Sequence, residues 1–177
     1  VSLYGGFAGT ESERNERSWD DNPTVIDGEY VRRGIKGAKH VTLDGFFVTR
    51  GTGAHLTSDP YSRGGGMVNV ECSPIIRNCS FIDNQASDCL EWKDDGFGGA
   101  IYCQSGSPRI ESCDFIKNGA SQGGAVYAAP SYDRLRPLDT VSITECLFSG
   151  NSAVRAGGAI RSNQSLQLNV ARSHFVG

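Results

Sequence analysis

An all-β fold, a parallel β-helix with one coil per sequence repeat, is predicted by three features of this 177-residue chain. An apolar residue, a cysteine, a phenylalanine and an asparagine recur in that order at near-constant spacing. A glycine pair closes each copy. No stretch inside the copies keeps a helical period for the roughly ten to twelve residues a helix needs without meeting a breaker. Repetition at a fixed period is the signature of a solenoid, and the short Val-, Ile-, Phe- and Thr-rich runs bounded by Gly, Asn, Ser and Pro read as strands.

The pattern is clearest from Ser107 to Val126, with Ile110, Cys113, Phe115 and Asn118 followed by Gly123 and Gly124. Upstream it reads Ile76, Cys79, Phe81 and Asn84, then Gly98 and Gly99; downstream Ile143, Cys146, Phe148 and Asn151, then Gly157 and Gly158. Leu43, Phe46 and Val48 form a degenerate earlier copy, and Val170, Ser173 and Phe175 begin a further one. The third slot, from Val48 to Phe81, Phe115, Phe148 and Phe175, advances by 33, 34, 33 and 27 residues. That period also suits helix-pair repeats, but the strand-like runs and the 23 glycines exclude them.

In a parallel β-helix, equivalent positions of successive coils lie one inter-strand spacing apart, about 4.8 Å, so like residues form columns. Three are expected: Leu43, Ile76, Ile110, Ile143 and Val170; Phe46, Cys79, Cys113, Cys146 and Ser173; and Val48, Phe81, Phe115, Phe148 and Phe175. The third suits offset ring stacking. Asn84, Asn118 and Asn151 can bond one another and backbone groups freed by a bend, since an amide both donates and accepts. The glycine pairs suit a bend that needs positive φ or close approach of coils. These columns are structural and imply no chemistry.

The motifs GGAI at 98–101, GGAV at 123–126 and GGAI at 157–160, with FIDN at 81–84, FIKN at 115–118 and FSGN at 148–151, resemble the repeats of the chlamydial polymorphic outer membrane proteins. They are similar also to the wider group of bacterial and archaeal surface or secreted proteins with right-handed parallel β-helix repeats. The resemblance covers residues 41–177; the first coil departs from it, with Val48 to Gly51 in place of F-x-x-N. The opening VSLYGGFAGTESERNERSW resembles the segment that precedes such helices in secreted bacterial proteins. The resemblance implies a right-handed solenoid, as parallel crossovers also favour, a secreted or cell-surface location, and a role as adhesin, surface passenger or polysaccharide-acting protein.

Two segments follow: residues 1–40, a strand, a helix and first coils packed on the solenoid, and residues 41–177, the repeats. In the first, Thr10 as N-cap and Glu13 at the third helical position form a capping box, predicting a helix from Glu11 to about Ser18. The apolar column reaching Phe175 predicts that the solenoid continues into flanking coils of the same protein.

Charged residues are 21% of the chain and the net charge is −3, which excludes a phosphate-dominated nucleic-acid partner. No apolar run approaches the roughly 18 residues of a membrane span, so this chain predicts no membrane insertion of its own. Six cysteines invite a disulfide framework, yet Cys79, Cys113 and Cys146 share one slot with parallel Cβ vectors, poor geometry for a bridge. They read as a column of small hydrophobes, while Cys72 and Cys103 on neighbouring coils are candidates for one bridge. Metal-ligand spacing is absent, and no metal is predicted.

Function is expected in three interruptions of the repeat, at 51–63, 85–97 and 127–140, because loops on a rigid scaffold carry sites. The first two fall at the same turn and stack side by side. They bring His55, Asp59, Tyr61 and Arg63 together with Asp88, Cys89, Glu91, Trp92, Lys93, Asp94 and Asp95. The third leaves from a different turn with Tyr127, Tyr132, Asp133, Arg134, Arg136 and Asp139. Tyr61, Arg63, Trp92, Tyr132 and Arg134 are the candidate ligand-binding residues: flat aromatic faces for a sugar or a surface protein, with hydrogen-bonding neighbours. The alternative is a polysaccharide lyase or glycoside hydrolase of the β-helix type. Asp59 with Asp94 or Asp95 would supply paired carboxylates, Lys93, Arg63 or Arg134 a base, and Asp88, Asp94 and Asp95 oxygens for calcium beside a uronate. A structural or adhesive module, without a required cofactor and with a glycan or cell-surface protein as partner, is the reading preferred.

Overall fold

The computed structural model of the chain describes residues 1–53, 62–86, 96–131, 133, 138–163 and 166–177. Among these, four sheets of exclusively parallel strands run along the molecule, and each coil visits them in turn. The first face stacks Ser2–Tyr4, Thr42–Asp44, Ile75–Arg77, Arg109–Glu111, Thr140–Thr144 and Gln167–Ala171 in chain order. The second stacks Thr24–Asp27, Phe46–Thr49, Ser80–Ile82, Asp114–Ile116, Leu147–Ser149 and His174–Val176. The fourth stacks Ile35–Lys36, Met67–Val70, Ile101–Gln104, Val126–Ala129 and Ile160–Ser162. On the third face, Gly119–Gln122 pairs with Gln85–Ala86 through its first half and with Gly96–Phe97 through its second. Those two short strands are therefore one strand interrupted by residues 87–95. The fold is a parallel β-helix.

The register turns sequence slots into columns. Leu43 pairs with Ile76, Ile76 with Ile110, Ile110 with Ile143 and Ile143 with Val170. The column starts one coil before the legible pattern, at Leu3. Its neighbour likewise starts at Ile26, which pairs with Val48, so residues 2–4, 24–27 and 35–36 are rungs of the solenoid itself. Phe81, Phe115, Phe148 and Phe175 stack with ring centroids 5.3, 4.8 and 4.8 Å apart and planes within 8°. The first three are at most 1% exposed; each such ring contributes about 1.5–3 kcal/mol by burial alone.

The bends explain the polar slots. Asn118 donates from Nδ2 to the Phe81 carbonyl at 2.9 Å and to Asn151 Oδ1 at 2.9 Å. Its own Oδ1 accepts from the backbone N–H and the Nδ2 of Asn84, each at 3.0 Å. Asn84 repeats this toward Val48 O, and Asn151 toward Phe115 O. Where the first copy lacks the asparagine, the Gly51 N–H donates to Asn84 Oδ1 at 2.9 Å. Asn118, buried at the middle of this column, thus donates twice and accepts twice.

The two glycines of each pair answer to different constraints. The first, at 64, 98, 123 and 157, has φ between 56° and 69°, where a Cβ is costly. The second is excluded by contact: a Cβ on Gly99 would overlap the Gly124 carbonyl oxygen, and one on Gly124 that of Gly158.

The five described cysteines are free thiols, Cys72 and Cys103 included. Cys79, Cys113 and Cys146 each point Sγ at the carbonyl two residues back, at 3.1–3.2 Å. Asn69 sits between the other two, donating to Cys103 Sγ at 3.7 Å and accepting from Cys72 Sγ at 3.8 Å. Burial pushes the Cys103 thiol up to about 12, the state of an inert interior sulfur.

The expected helix at Glu11 to Ser18 is replaced by a single 3-10 turn, Arg14–Glu16. Two competing demands break it. The Glu11 carboxylate is spent on the backbone N–H groups of Ala8, Gly9 and Thr10 at 2.6–3.0 Å, so Thr10 cannot serve as its cap. Arg17 is drawn out of the helical face to Asp44, 2.8 Å away. The capping box instead forms three residues later, with Glu13 as N-cap and Glu16 accepting from the N–H groups of Ser12 and Glu13 at 2.8 and 3.2 Å.

Candidate binding site at the corner of the third and fourth faces

Strand alternation decides what the fourth face shows outside. Ile101 and Cys103 point into the core, so Tyr102 and Gln104 point out; on the next coil Val126 and Ala128 point in, so Tyr127 and Ala129 point out. Parallel register sets Tyr102 beside Tyr127. Their rings stack at 5.7 Å and 6°, and Phe97, from the end of the third face, meets Tyr127 at 4.8 Å and 58°. With Val68 they make a second apolar cluster, separate from the main core.

Arg63 lies over the Tyr102 ring, 5.3 Å from its centroid, a cation–π contact. The Tyr102 hydroxyl donates to Gln104 Oε1 at 3.1 Å. Above these groups is a cavity of about 300 Å³ whose described walls are Arg63, Phe97, Tyr102, Gln104, Tyr127, Ala129, Pro130 and Asn163. That volume is at the lower end of small-ligand sites. Tyr102 and Tyr127 are only 3% and 5% exposed, so they form its floor.

The ends of all three interruptions meet here. Ser62 and Arg63 end the first, Gly96 and Phe97 end the second, and the two pairs are register partners. On the opposite side of the breaks, Gly53 N–H donates to Gln85 O at 2.9 Å. Ala129 and Pro130, on the cavity wall, open the third. The sequence placed the third at a different turn; the fourth-face strand is so short that its far end still borders the same cavity.

Of the candidate residues, Arg63 is on the cavity wall. Tyr61, Trp92, Lys93, Asp94, Asp95, Tyr132 and Arg134 lie outside the described residues, as do His55, Asp59, Asp88, Cys89, Glu91 and Arg136. Tyr127 is not in an insertion: it belongs to the strand Val126–Ala129. Phe97, Tyr102, Gln104 and Asn163 went unread. A signal existed, since tyrosine follows both GGAI at 98–101 and GGAV at 123–126.

A second concentration of charge is structural. Asp44, 1% exposed, receives Arg17 and Arg77 at 2.8 Å and Asn78 at 2.9 Å. Burial raises its pKa, but the donors from Arg17, Asn78 and Arg77 outweigh it and hold the carboxyl below the usual aspartate range. Arg17 is further fixed between Tyr4 and Trp19, 5.3 and 5.1 Å from their rings. This network ties the excursion between the first two strands to the bend of the next coil. Among the described residues no group of three or more His, Cys, Asp or Glu side chains could hold a metal ion, and no helix is long and apolar enough to cross a membrane.

Two stretches, residues 78–104 and 145–163, match the profile of the Chlamydia polymorphic membrane protein repeat. Those two stretches are similar to that repeat. Each match holds an asparagine-slot bend and a glycine pair, and the first also holds Phe97, Tyr102 and Gln104 of the cavity. No significant match to a curated protein or to a solved structure was found. The repeat therefore accounts for the winding, and the cavity stands on its own geometry.

Proposed function

We propose that the chain is a surface-exposed or secreted β-helix module that works by adhesion, meeting a glycan or another surface at the corner where its three insertions begin. The polymorphic membrane protein repeat supports a surface or outer-membrane-associated protein. The observation that carries the adhesive reading is the convergence of the insertion ends on one aromatic-floored cavity. A rigid solenoid that breaks its repeat on successive coils at one corner has concentrated its variable chain there. Hydrolysis or elimination gains no support from the described walls, which include no carboxylate.

The test is adhesion of the purified chain to immobilised glycans and to cell surfaces, with Tyr61→Ala/Trp92→Ala as the variant. Adhesion weakened by the double substitution is the expected result. Adhesion left unchanged would remove the insertions from the contact, and turnover of polyuronates lost in Lys93→Ala or Asp94→Ala would replace the module with an enzyme.

A further inference from the structure

We infer that the cavity holds one neutral pyranose ring, set against its aromatic wall and gripped through its hydroxyls by two carboxamides. This rests on the adhesive reading above and gives it a ligand class. Volume comes first: about 300 Å³ accommodates a single sugar residue, so recognition is of one unit. The floor comes second. Phe97 and Tyr102 of one coil each meet Tyr127 of the next, with ring centroids 4.8 and 5.7 Å apart; the tyrosines are nearly buried, so the half-buried Phe97 presents the apolar surface that a sugar C–H face covers.

The polar groups decide between neutral and acidic. Gln104 Oε1 is occupied by the Tyr102 hydroxyl, which fixes the orientation of the amide and leaves its Nε2 donors for a ligand. Asn163 is anchored by its backbone N–H to Ala128 O at 2.9 Å, and its exposed side chain stands on the cavity wall with both a donor and an acceptor. Uncharged amides that donate and accept match hydroxyls, which do the same. The guanidinium of Arg63 lies over the Tyr102 ring, 5.3 Å from its centroid, a cation–π contact that holds the floor.

The experiment titrates the purified chain with methyl glucoside, galactoside, mannoside and N-acetylglucosaminide by calorimetry and saturation-transfer NMR. Parallel runs use methyl glucuronoside and the variants Asn163→Ala and Gln104→Leu; Arg109→Ala, on the distant first face, is the control. At least one neutral glycoside should bind, each cavity variant should lose about tenfold in affinity, the value of one hydrogen bond of roughly 1.4 kcal/mol, and the control should lose none. No binding by any neutral glycoside, a preference for the glucuronoside, or equal affinity in the cavity variants would overturn the assignment. Surface adhesion that persists in Asn163→Ala and Gln104→Leu would sink the cavity while leaving the adhesive reading intact; a chain that adheres to nothing would sink that reading instead.

Discussion

Two aromatic stacks lie back to back in this molecule. Inside, Phe81, Phe115, Phe148 and Phe175 repeat one residue in one slot, with planes within 8°. Outside, on the fourth face, Tyr102 and Tyr127 stack almost as parallel, at 6°, but the column does not continue: the same slot is Val68 on one side and Arg161 on the other. The parallel register produces the geometry in both cases. What differs is that the inner stack serves every coil, whereas the outer one exists only where two coils part from the pattern beside three chain interruptions. In a solenoid, repetition marks the parts that hold the winding, and local loss of repetition marks the parts free to recognise something.

The comparison breaks most forcefully at Phe115. Replacing it with alanine opens a cavity between two stacked neighbours and should cost about 3–5 kcal/mol, read as a fall in the urea midpoint. A loss below roughly 1 kcal/mol would mean that the inner stack is no more structural than the outer.

Next is Asp44, a buried polar group held across coils like the asparagines but by charge. Asp44→Ala should cost about 3 kcal/mol, because it strands Arg17, whose side chain is 8% exposed. The native carboxyl titrates below the ordinary aspartate value. Its stabilisation is therefore complete at neutral pH and declines as pH falls from the usual carboxylate range through the native pKa. Asp44→Asn should flatten that acid limb of the stability curve; an unchanged limb would assign acid sensitivity elsewhere.

The smallest effect is expected on the outer stack. Tyr102→Phe keeps the ring and removes the hydroxyl bond to Gln104, costing about 1 kcal/mol of stability. Because that bond orients the Gln104 amide, glycan affinity should fall as well. Loss of stability without loss of affinity would make the outer stack a second piece of core.

Much of the architecture could be read from the residues alone because a parallel winding makes equivalence in sequence equal to adjacency in space. Phe81 and Phe115 are 34 positions apart in the chain and one rung apart in the fold. Within residues 1–40 the slots of Leu3 and Ile26 were harder to place, since Phe7 and the pair Gly5–Gly6 do not fall at the spacing of the repeat and the hydrogen-bonded register alone aligns the two with Leu43 and Val48. The N-terminal helix differs for a related reason: the capping box forms at Glu13 and Glu16 rather than at Thr10 and Glu13, and a long-range partner, Asp44, takes Arg17 away from the helical face. The cavity was the least legible. Its walls come from four coils, and Tyr102 and Gln104 alternate with core residues so regularly that they look like ordinary outward positions. Arg63 was found because it sits at the end of an interruption.

The asparagine bend also governs how such a chain can change length. Asn84 and Asn118 each bond backward to a carbonyl of the coil before and forward to the amide of the coil after. A duplicated segment that carries a whole coil therefore arrives with its own bend already compatible on both sides, and the rod grows by one layer. A segment of any other size leaves an amide facing the wrong partner, unless it enters between Gly53 and Ser62 or between Ala86 and Gly96, at the corner beside the cavity. Evolution of this rod is thus quantised along its axis and continuous only at that corner.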